Sequence, residues 1–398
     1  MFGLYVHWPF CLSKCIYCDF GSKVLSLNNA FDKDFQQKYC DCCKKQMQYF
    51  QKKIQQNKYQ KELTSIYFGG GTPSLLNEDI VKQLIDEAKN LFNLPTDCEI
   101  TLEANPTSFE LEKFYKFNEA GVNRLSLGVQ SFDDNELVWL GRKHSAKQAI
   151  YAIEEIKKIF PKWSFDLIYG LPKQKLEKWI DELNFALSLE PKHLSLYTLI
   201  VDEHTPLGRM VQVGNVVPKT DDEMADFYDA TNDLIKKTYL NKLQKLQQYE
   251  VSNYAVCGFE SQHNLCYWNS CDYIGIGSMA HGRLTYKNGK RYEILNKTDV
   301  KEWISKLEND DIGGLEVEKP LTKQEQVEEI LIMGLRTKYG VDFAEIQKRF
   351  GIDILEYCDV DKIKMFENQG LLAINNGRIV LTDEGLKILD TVLNAILV

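Results

Sequence analysis

Short segments with the character of β-strands recur six times in the first two hundred residues, at Leu4–His7, Ser65–Phe68, Glu99–Glu103, Arg124–Val129, Ser164–Tyr169 and His193–Leu199. Amphipathic stretches separate them and predict helices at about 34–57, 77–93, 108–120, 145–160 and 174–189. Strand and helix alternating in this way is the signature of βα units on a parallel sheet. Six units predict an α/β fold with a partial, TIM-like (βα)6 barrel over residues 1–215. A barrel is preferred to an open sheet because the chemically unusual residues follow the C-terminal ends of strands, the face on which barrel enzymes build their sites.

The pattern then changes. A charged helical stretch from Asp221 to Gln248 leads into an aromatic motif, and residues 216–312 read as a connecting helix and motif region. After the Gly313-Gly314 turn and Pro320, helices are expected near 322–337, 342–350 and 360–369. A hairpin turning at Asn375-Asn376-Gly377 follows, with a final helix from about Thr382. Residues 313–398 thus predict a small winged-helix-like domain.

Composition narrows the class of protein. The 398 residues are 44% hydrophobic and 26% charged, which is globular, and no apolar run approaches the ~18 residues of a membrane span. A net charge of −9 argues against nucleic acid as the main partner. The C-terminal part, with nine Lys and Arg against thirteen Asp and Glu over residues 320–398, favours protein or intramolecular docking over DNA. The first apolar residues lead into a cysteine loop and not into a small-residue cleavage site, so a cytoplasmic location is expected, where the eleven cysteines would be thiols or metal ligands.

Cys11, Cys15 and Cys18 place three thiols within eight residues on a loop after the first strand. Such thiolates can converge on a soft metal centre, an iron–sulfur cluster above all. Phe20 stands where a fourth cysteine could follow, which would leave one iron of a cubane open. A structural zinc site or free buried cysteines are the alternatives on spacing alone. Other strand ends carry Gly69-Gly70-Gly71-Thr72-Pro73, where glycine admits close approach of the backbone to a ligand. Glu103, Gln130 and Asp166 offer hydrogen-bonding groups around the same mouth for an amine and ribose hydroxyls, and Arg142 offers a fork for a carboxylate. Cys40, Cys42 and Cys43 lie in a helical stretch, where adjacent positions are awkward for one metal, so they read as structural. Further on, His263 has the chemistry of an axial haem ligand, and Tyr267 and Trp268 present flat faces to a macrocycle; a core histidine among aromatics is the plainer reading of the same spacing.

Taken together, the cysteine loop, Gly69 to Pro73, Glu103, Gln130, Arg142 and Asp166 resemble the radical S-adenosylmethionine superfamily, in particular the branch containing oxygen-independent coproporphyrinogen III oxidase. The resemblance implies a [4Fe–4S] cluster on Cys11, Cys15 and Cys18, with S-adenosylmethionine on the open iron through its amino and carboxylate groups. It also implies that Tyr5 and Tyr17 flank that molecule, that Gly70, Gly71 and Thr72 hold its methionine end, and that Glu103, Gln130, Arg142 and Asp166 complete the pocket. Within this branch, His263-Asn264-x-x-Tyr267-Trp268, followed by Tyr273-Ile-Gly-Ile-Gly and Ala280-His281-Gly282, resembles the haem chaperones. Phe20 falls on their side, because the oxidase carries a further cysteine. That resemblance implies haem as cargo, with His263 on its iron and Asn264, Tyr267 and Trp268 around it. Delivery would be to a haem-accepting protein, commonly in respiration; a membrane-bound acceptor and a homodimer stay open. Cys266, inside the motif, is a weaker candidate for a second soft ligand. Two other readings remain: a radical enzyme that decarboxylates porphyrinogen propionates, and an iron–sulfur binding or sensor module with no porphyrin role.

Overall fold

The computed structural model describes residues 1–26, 32–56, 62–107, 111–239, 245–287, 289–309 and 313–397. All six expected strands form, as Phe2–Trp8 (β1), Ser65–Gly70 (β2), Glu99–Ala104 (β3), Arg124–Gln130 (β4), Lys162–Tyr169 (β5) and His193–Thr198 (β6). They pair in parallel and in chain order. The crossovers carry the helices Lys33–Gln56, Glu78–Leu91, Phe114–Ala120, Ala146–Ile159 and Leu176–Ser188. Residues 108–110 of the helix expected at 108–120 lie outside the described residues. Two short helices, Asp134–Leu140 and Pro206–Gln212, were not expected from the pattern.

Strand periodicity explains how this barrel is filled. Leu4, Val6, Ile66, Phe68, Ile100, Leu102, Leu125, Leu127, Phe165 and Leu167 alternate along β1–β5 and are buried in one large core beneath the helices. The register places the intervening positions level with one another on the inner face: Tyr5 beside Tyr67, Glu103 beside Ser126, Gly128 beside Asp166. The interior of this barrel is therefore polar.

The sheet is wider than six strands. It has twelve, and both edges come from the second half of the chain. Along one edge, β1 pairs in parallel with Asp272–Ile276, after which His281–Thr285, Arg291–Asn296 and Leu315–Pro320 follow antiparallel. At the other, β6 pairs antiparallel with Asn253–Val256, which pairs with Leu246–Glu250. Strands of residues 216–312 thus lie in the same sheet, on both sides of the six. The expected boundary at 313 also shifts. Gly313 and Gly314 do turn the chain, with φ of 71° and 69°, but the turn feeds an edge strand that ends at Pro320, where a missing N–H is tolerated.

The C-terminal unit that follows has its own core, including Val327, Leu331, Ile346, Ile363, Leu372 and Val392. Helices Lys323–Gly334, Phe343–Phe350 and Val360–Asn368 match the expected ones. The hairpin of Leu372–Asn375 with Arg378–Leu381 turns at Asn376 and Gly377, both at positive φ as an Asn-Gly turn requires. The expected final helix is two, Asp383–Lys387 and Leu389–Ile396. Ion pairs Arg336–Glu250 and Arg283–Glu329 dock this unit on the barrel sheet.

Candidate functional site

At the C-terminal ends of the strands, the cysteine loop is fixed by backbone hydrogen bonds from several directions. Phe10–Cys11 bridges Lys23–Val24, with Lys23 N–H bonded to Pro9 C=O and Leu25 N–H to Cys11 C=O, closing the loop at its base. Ile16 N–H donates to Leu140 C=O at the end of the Asp134–Leu140 helix, and Ile16 C=O accepts from Leu207 N–H. The two unexpected helices thus hold the loop between them.

The thiols face polar partners. Thr72 Oγ1 donates to Cys11 Sγ at 3.4 Å, and Arg142 Nη1 lies 3.5 Å from Cys15 Sγ. Burial pushes the Cys11 and Cys18 thiols up from their ordinary range, against the hydrogen bond from Thr72 at Cys11. Phe20 projects outward, 64% exposed. Among the described residues no group of three or more His, Cys, Asp or Glu is gathered tightly enough for a single metal ion. The same statement covers Cys40, Cys42 and Cys43, which are buried in the Lys33–Gln56 helix with their thiols pushed up by burial.

The glycine run has a definite steric reason. A Cβ on Gly69 would stand 2.8 Å from the Tyr5 ring, one on Gly70 2.5 Å from His7, and one on Gly71 2.6 Å from the Phe10 carbonyl oxygen. Glycine here lets β2 lie against the first strand and the base of the cysteine loop. Gly71 and Thr72 donate their N–H groups to Trp8 C=O and Phe10 C=O, which sets the Thr72 hydroxyl beside Cys11.

Arg142 follows the Asp134–Leu140 helix, its N–H bonded to Leu137 C=O. Its guanidinium ties three strand ends together, through Asn105 Oδ1, Gly128 C=O at 2.6 Å and Cys15 Sγ. Gln130 sits at an irregularity of β4 with φ of 72°. Tyr17 packs with Leu140, Ile168 and Leu171, against Cys15 and Arg142. Below them, burial pushes the Glu103 carboxyl up to about 7, while hydrogen bonds from Tyr67 and the Gly70 N–H oppose the shift and the Asp166 charge adds to it. Asp166 is pushed up by burial to about 6, against hydrogen bonds from Ser195 and Ser126. The expected residues around the mouth are brought together, and the inner-face residues Tyr67, Ser126 and Ser195 join them. Those three were missed, although polar positions alternating with Leu, Ile and Phe in strands expected to be buried were visible in the sequence.

The aromatic motif lies at the other end of the barrel. Gln262–Trp268 forms a helix that carries the chain from the β6 edge to the β1 edge across the N-terminal ends of the strands. Buried Arg124 and Glu99, the first residues of β4 and β3, tie it there: Arg124 donates to Phe259 C=O, and Glu99 Oε1 accepts from Gln262 N–H. Gly3 on β1 allows the close packing, since a Cβ there would stand 3.3 Å from both Cys266 Sγ and His263.

His263 is 1% exposed and points into the barrel. Its Nδ1 is 2.8 Å from Ser65 Oγ and its Nε2 2.7 Å from the Tyr267 hydroxyl. Burial alone pushes its pKa down to about 3, so it is neutral. The Tyr67 ring stacks on the imidazole at 5.0 Å between centroids, and the Tyr67 hydroxyl donates to Glu103 Oε1 at 2.8 Å. One tyrosine therefore touches groups belonging to both ends of the barrel.

The rings of the motif make contacts within the protein. Arg336 of the C-terminal unit lies 4.3 Å over the Trp268 ring, and Tyr267 meets Tyr273 edge to face at 4.5 Å. Arg349 adds hydrogen bonds to the carbonyls of Asn269 and Ser270 at the end of the motif helix, a favourable place for a cation. Asn264 turns its side chain to Tyr249, whose hydroxyl also bonds His193 Nε2 at 2.9 Å. Cys266 is buried beside Cys271 and bonds Asp272 C=O, which leaves it directed at the sheet. Ser65 and Tyr67, against His263, and Arg336, over Trp268, come from distant parts of the sequence, and no local pattern marked them as neighbours of the motif.

Residues 5–186 match the family model of the radical SAM superfamily, and residues 321–388 that of the HemN C-terminal domain. The heme chaperone HemW of Bacillus subtilis is 33% identical over 389 residues, covering 97% of this chain and 96% of that protein. The Escherichia coli heme chaperone HemW is 38% identical over 300 residues, 75% of this chain and 74% of that protein. A mitochondrial radical S-adenosyl methionine domain-containing protein 1 of Bos taurus is 34% identical over 99% of this chain and 87% of its own. In fold, the chain is similar to the coproporphyrinogen III oxidase HemN of Escherichia coli, with a TM-score of 0.76 at 20% identity over 99% of this chain and 89% of that one. The chain belongs to the HemW family of the radical S-adenosylmethionine superfamily.

Proposed function

We infer that the protein is a haem chaperone, which binds haem through His263 and passes it to a haem-accepting protein. The observation that carries this reading is the near full-length likeness to heme chaperones HemW, joined to the ordered helix that presents His263. No described helix is long and apolar enough to cross a membrane.

Superfamily membership implies a [4Fe–4S] cluster and S-adenosylmethionine, and the donor set at the top of the barrel fits them. Three thiols stand on one pinned loop, flanked by a hydroxyl and a guanidinium that favour thiolate. A cubane offers a different iron to each thiolate, so its ligands need not crowd as those of a single zinc ion do, with sulfurs about 2.3 Å from the metal. Cys11, Cys15 and Cys18 would hold the cluster; Tyr5, Tyr17, Gly70, Gly71, Thr72, Glu103, Gln130, Arg142 and Asp166 would surround S-adenosylmethionine. When bound, the reduced cluster can supply an electron to S-adenosylmethionine. The chain's own residues keep that loop rigid, with Arg142 fixing Cys15 and the Gly71–Phe10 contact fixing the loop base. Glu103 and Asp166 provide buried carboxyls of raised pKa next to the pocket.

Anaerobic haem titration of the purified chain tests the reading. Stoichiometric binding with a histidine-ligated spectrum is expected, and His263→Ala should lose it while keeping its far-UV dichroism. Unchanged affinity and spectrum in that variant would sink the assignment.

A further inference from the structure

We propose that Tyr267 is a latch on the haem ligand and Ser65 its positioning partner: the Tyr267 hydroxyl caps His263 Nε2 in the cargo-free protein, and Ser65 Oγ holds Nδ1 so that Nε2 can meet iron once the cap leaves. This rests on the reading of His263 as the haem ligand.

The argument begins with proton counting. A neutral imidazole has one N–H and one lone pair, and both ring nitrogens of His263 have a hydroxyl within hydrogen-bond distance, at 2.8 Å and 2.7 Å. Iron needs the lone pair, so the other nitrogen must carry the proton and give it to an acceptor. Ser65 is fully buried as the first residue of β2 and cannot withdraw without opening the sheet. The Tyr267 hydroxyl is buried against His263, but the residue as a whole is partly exposed and sits one turn along the same short helix as His263, outside the sheet. The Nε2 side is thus the side that can open, and the tautomer with Nδ1–H donating to Ser65 is the one that leaves Nε2 free for a metal. In that tautomer the Tyr267 hydroxyl donates to the very lone pair that iron would take. Haem and Tyr267 compete for one site. The Tyr267 ring also meets Tyr273 edge to face, a contact that Tyr267→Phe keeps, so the variant isolates the share of the hydroxyl in the cost of swinging the ring away from Nε2.

Titration of the full-length chain with haemin, read by the Soret band and by resonance Raman of the axial ligand, tests the latch. Tyr267→Phe should bind haemin about fivefold more tightly than the parent, the equivalent of losing one competing hydrogen bond of about 1 kcal/mol, with the same histidine-ligated spectrum. Ser65→Ala should bind about tenfold more weakly and shift the iron–histidine stretch, since the ligand's outer partner is gone. Unchanged or weaker binding by Tyr267→Phe overturns the latch, and unaltered affinity and stretch in Ser65→Ala overturns the role of Ser65. Equal binding by the parent and His263→Ala overturns the ligand assignment itself, and the latch with it. Far-UV dichroism of each variant confirms that binding is read on folded protein.

Discussion

The two ends of the barrel hold their chemical groups on opposite terms. At the C-terminal ends of the strands, Cys11, Cys15 and Cys18 sit on a loop locked by backbone hydrogen bonds to Pro9, Cys11, Leu140 and Leu207. At the N-terminal ends, His263 hangs inside the barrel between two side-chain hydroxyls. Backbone bonds that close the loop on its own base and tie it to two separate helices restrain it from several sides, so the upper site is preorganised for a resident group. Side-chain hydrogen bonds, each with a net value of about 1 kcal/mol, can be exchanged for another partner. That difference suits a permanent cofactor above and a transient cargo below.

The sharpest way to separate the two ends is to remove one and measure the other. Cys15→Ala should take iron and sulfide content after anaerobic reconstitution to background. Haemin affinity should stay within about twofold, because the variant leaves Ser65, Tyr267 and His263 untouched and lies outside the reach of their hydrogen bonds. Loss of both activities together would show that the ends are one site. Tyr67, stacked on His263 and bonded to Glu103, is the contact through which such a loss would travel.

Next in size is Gly71→Ala, which attacks the preorganisation itself. Its Cβ would stand 2.6 Å from the Phe10 carbonyl oxygen and 2.8 Å from the Phe10 carbonyl carbon, backbone atoms that cannot rotate aside. Chemical denaturation should show a loss of about 3 kcal/mol, the upper range for overpacking, and cluster uptake should fall with it. A variant as stable as the parent would mean that the loop base yields, and the contrast between rigid top and exchangeable bottom would lose its footing.

What could be read in the sequence follows the same division. The six parallel strands and the crossover helices were legible because burial on one face writes a local periodicity, and the cysteine loop because its three cysteines lie within eight residues. The edges of the sheet were not. Phe2 pairs with Asp272, and nothing local in Asp272–Ile276 says that its partner is the start of the chain. The surroundings of the motif were hidden for the same reason: Ser65, on His263, is 198 residues away, and Arg336, over Trp268, belongs to the C-terminal unit. The Asp134–Leu140 helix could have been found, since Asp133 caps its first turn and Gly141 ends it at φ 81°, the usual punctuation of a short helix. Reading Arg142 only as a fork for a carboxylate left out that it follows this helix, with its N–H on Leu137 C=O.

The smallest expected effect concerns the foot of that helix, and it asks whether the upper site is rigid at every pH. Ser131 Oγ lies 2.8 Å from Glu136 Oε2 and 2.7 Å from Glu182 Oε1, and also accepts from Asp133 N–H. A hydroxyl has one proton to give, so when both contacts are hydrogen bonds one of the two carboxyls must be protonated. Burial pushes Glu182 up to about 7, helped by the Glu136 charge and opposed by Phe132 N–H, Ser131 and Lys178. Lys178 also pairs with Glu136 and Asp133, and Gln174 bonds Glu136, so the cluster holds charge of both signs. The unfolded chain releases the Glu182 proton near its ordinary value of about 4.3, whereas the folded chain keeps it until about 7. This group's contribution is therefore intact below about pH 4.3 and falls away as pH rises through that window to 7. Glu182→Gln mimics the protonated form at every pH. Its melting temperature should match the parent near pH 4.5 and exceed it near pH 7.5, by an amount corresponding to about 1 kcal/mol after allowance for partial exposure. A difference that stayed constant with pH would place the shared proton elsewhere, and would leave the helix that aims Arg142 at Cys15 indifferent to acidity.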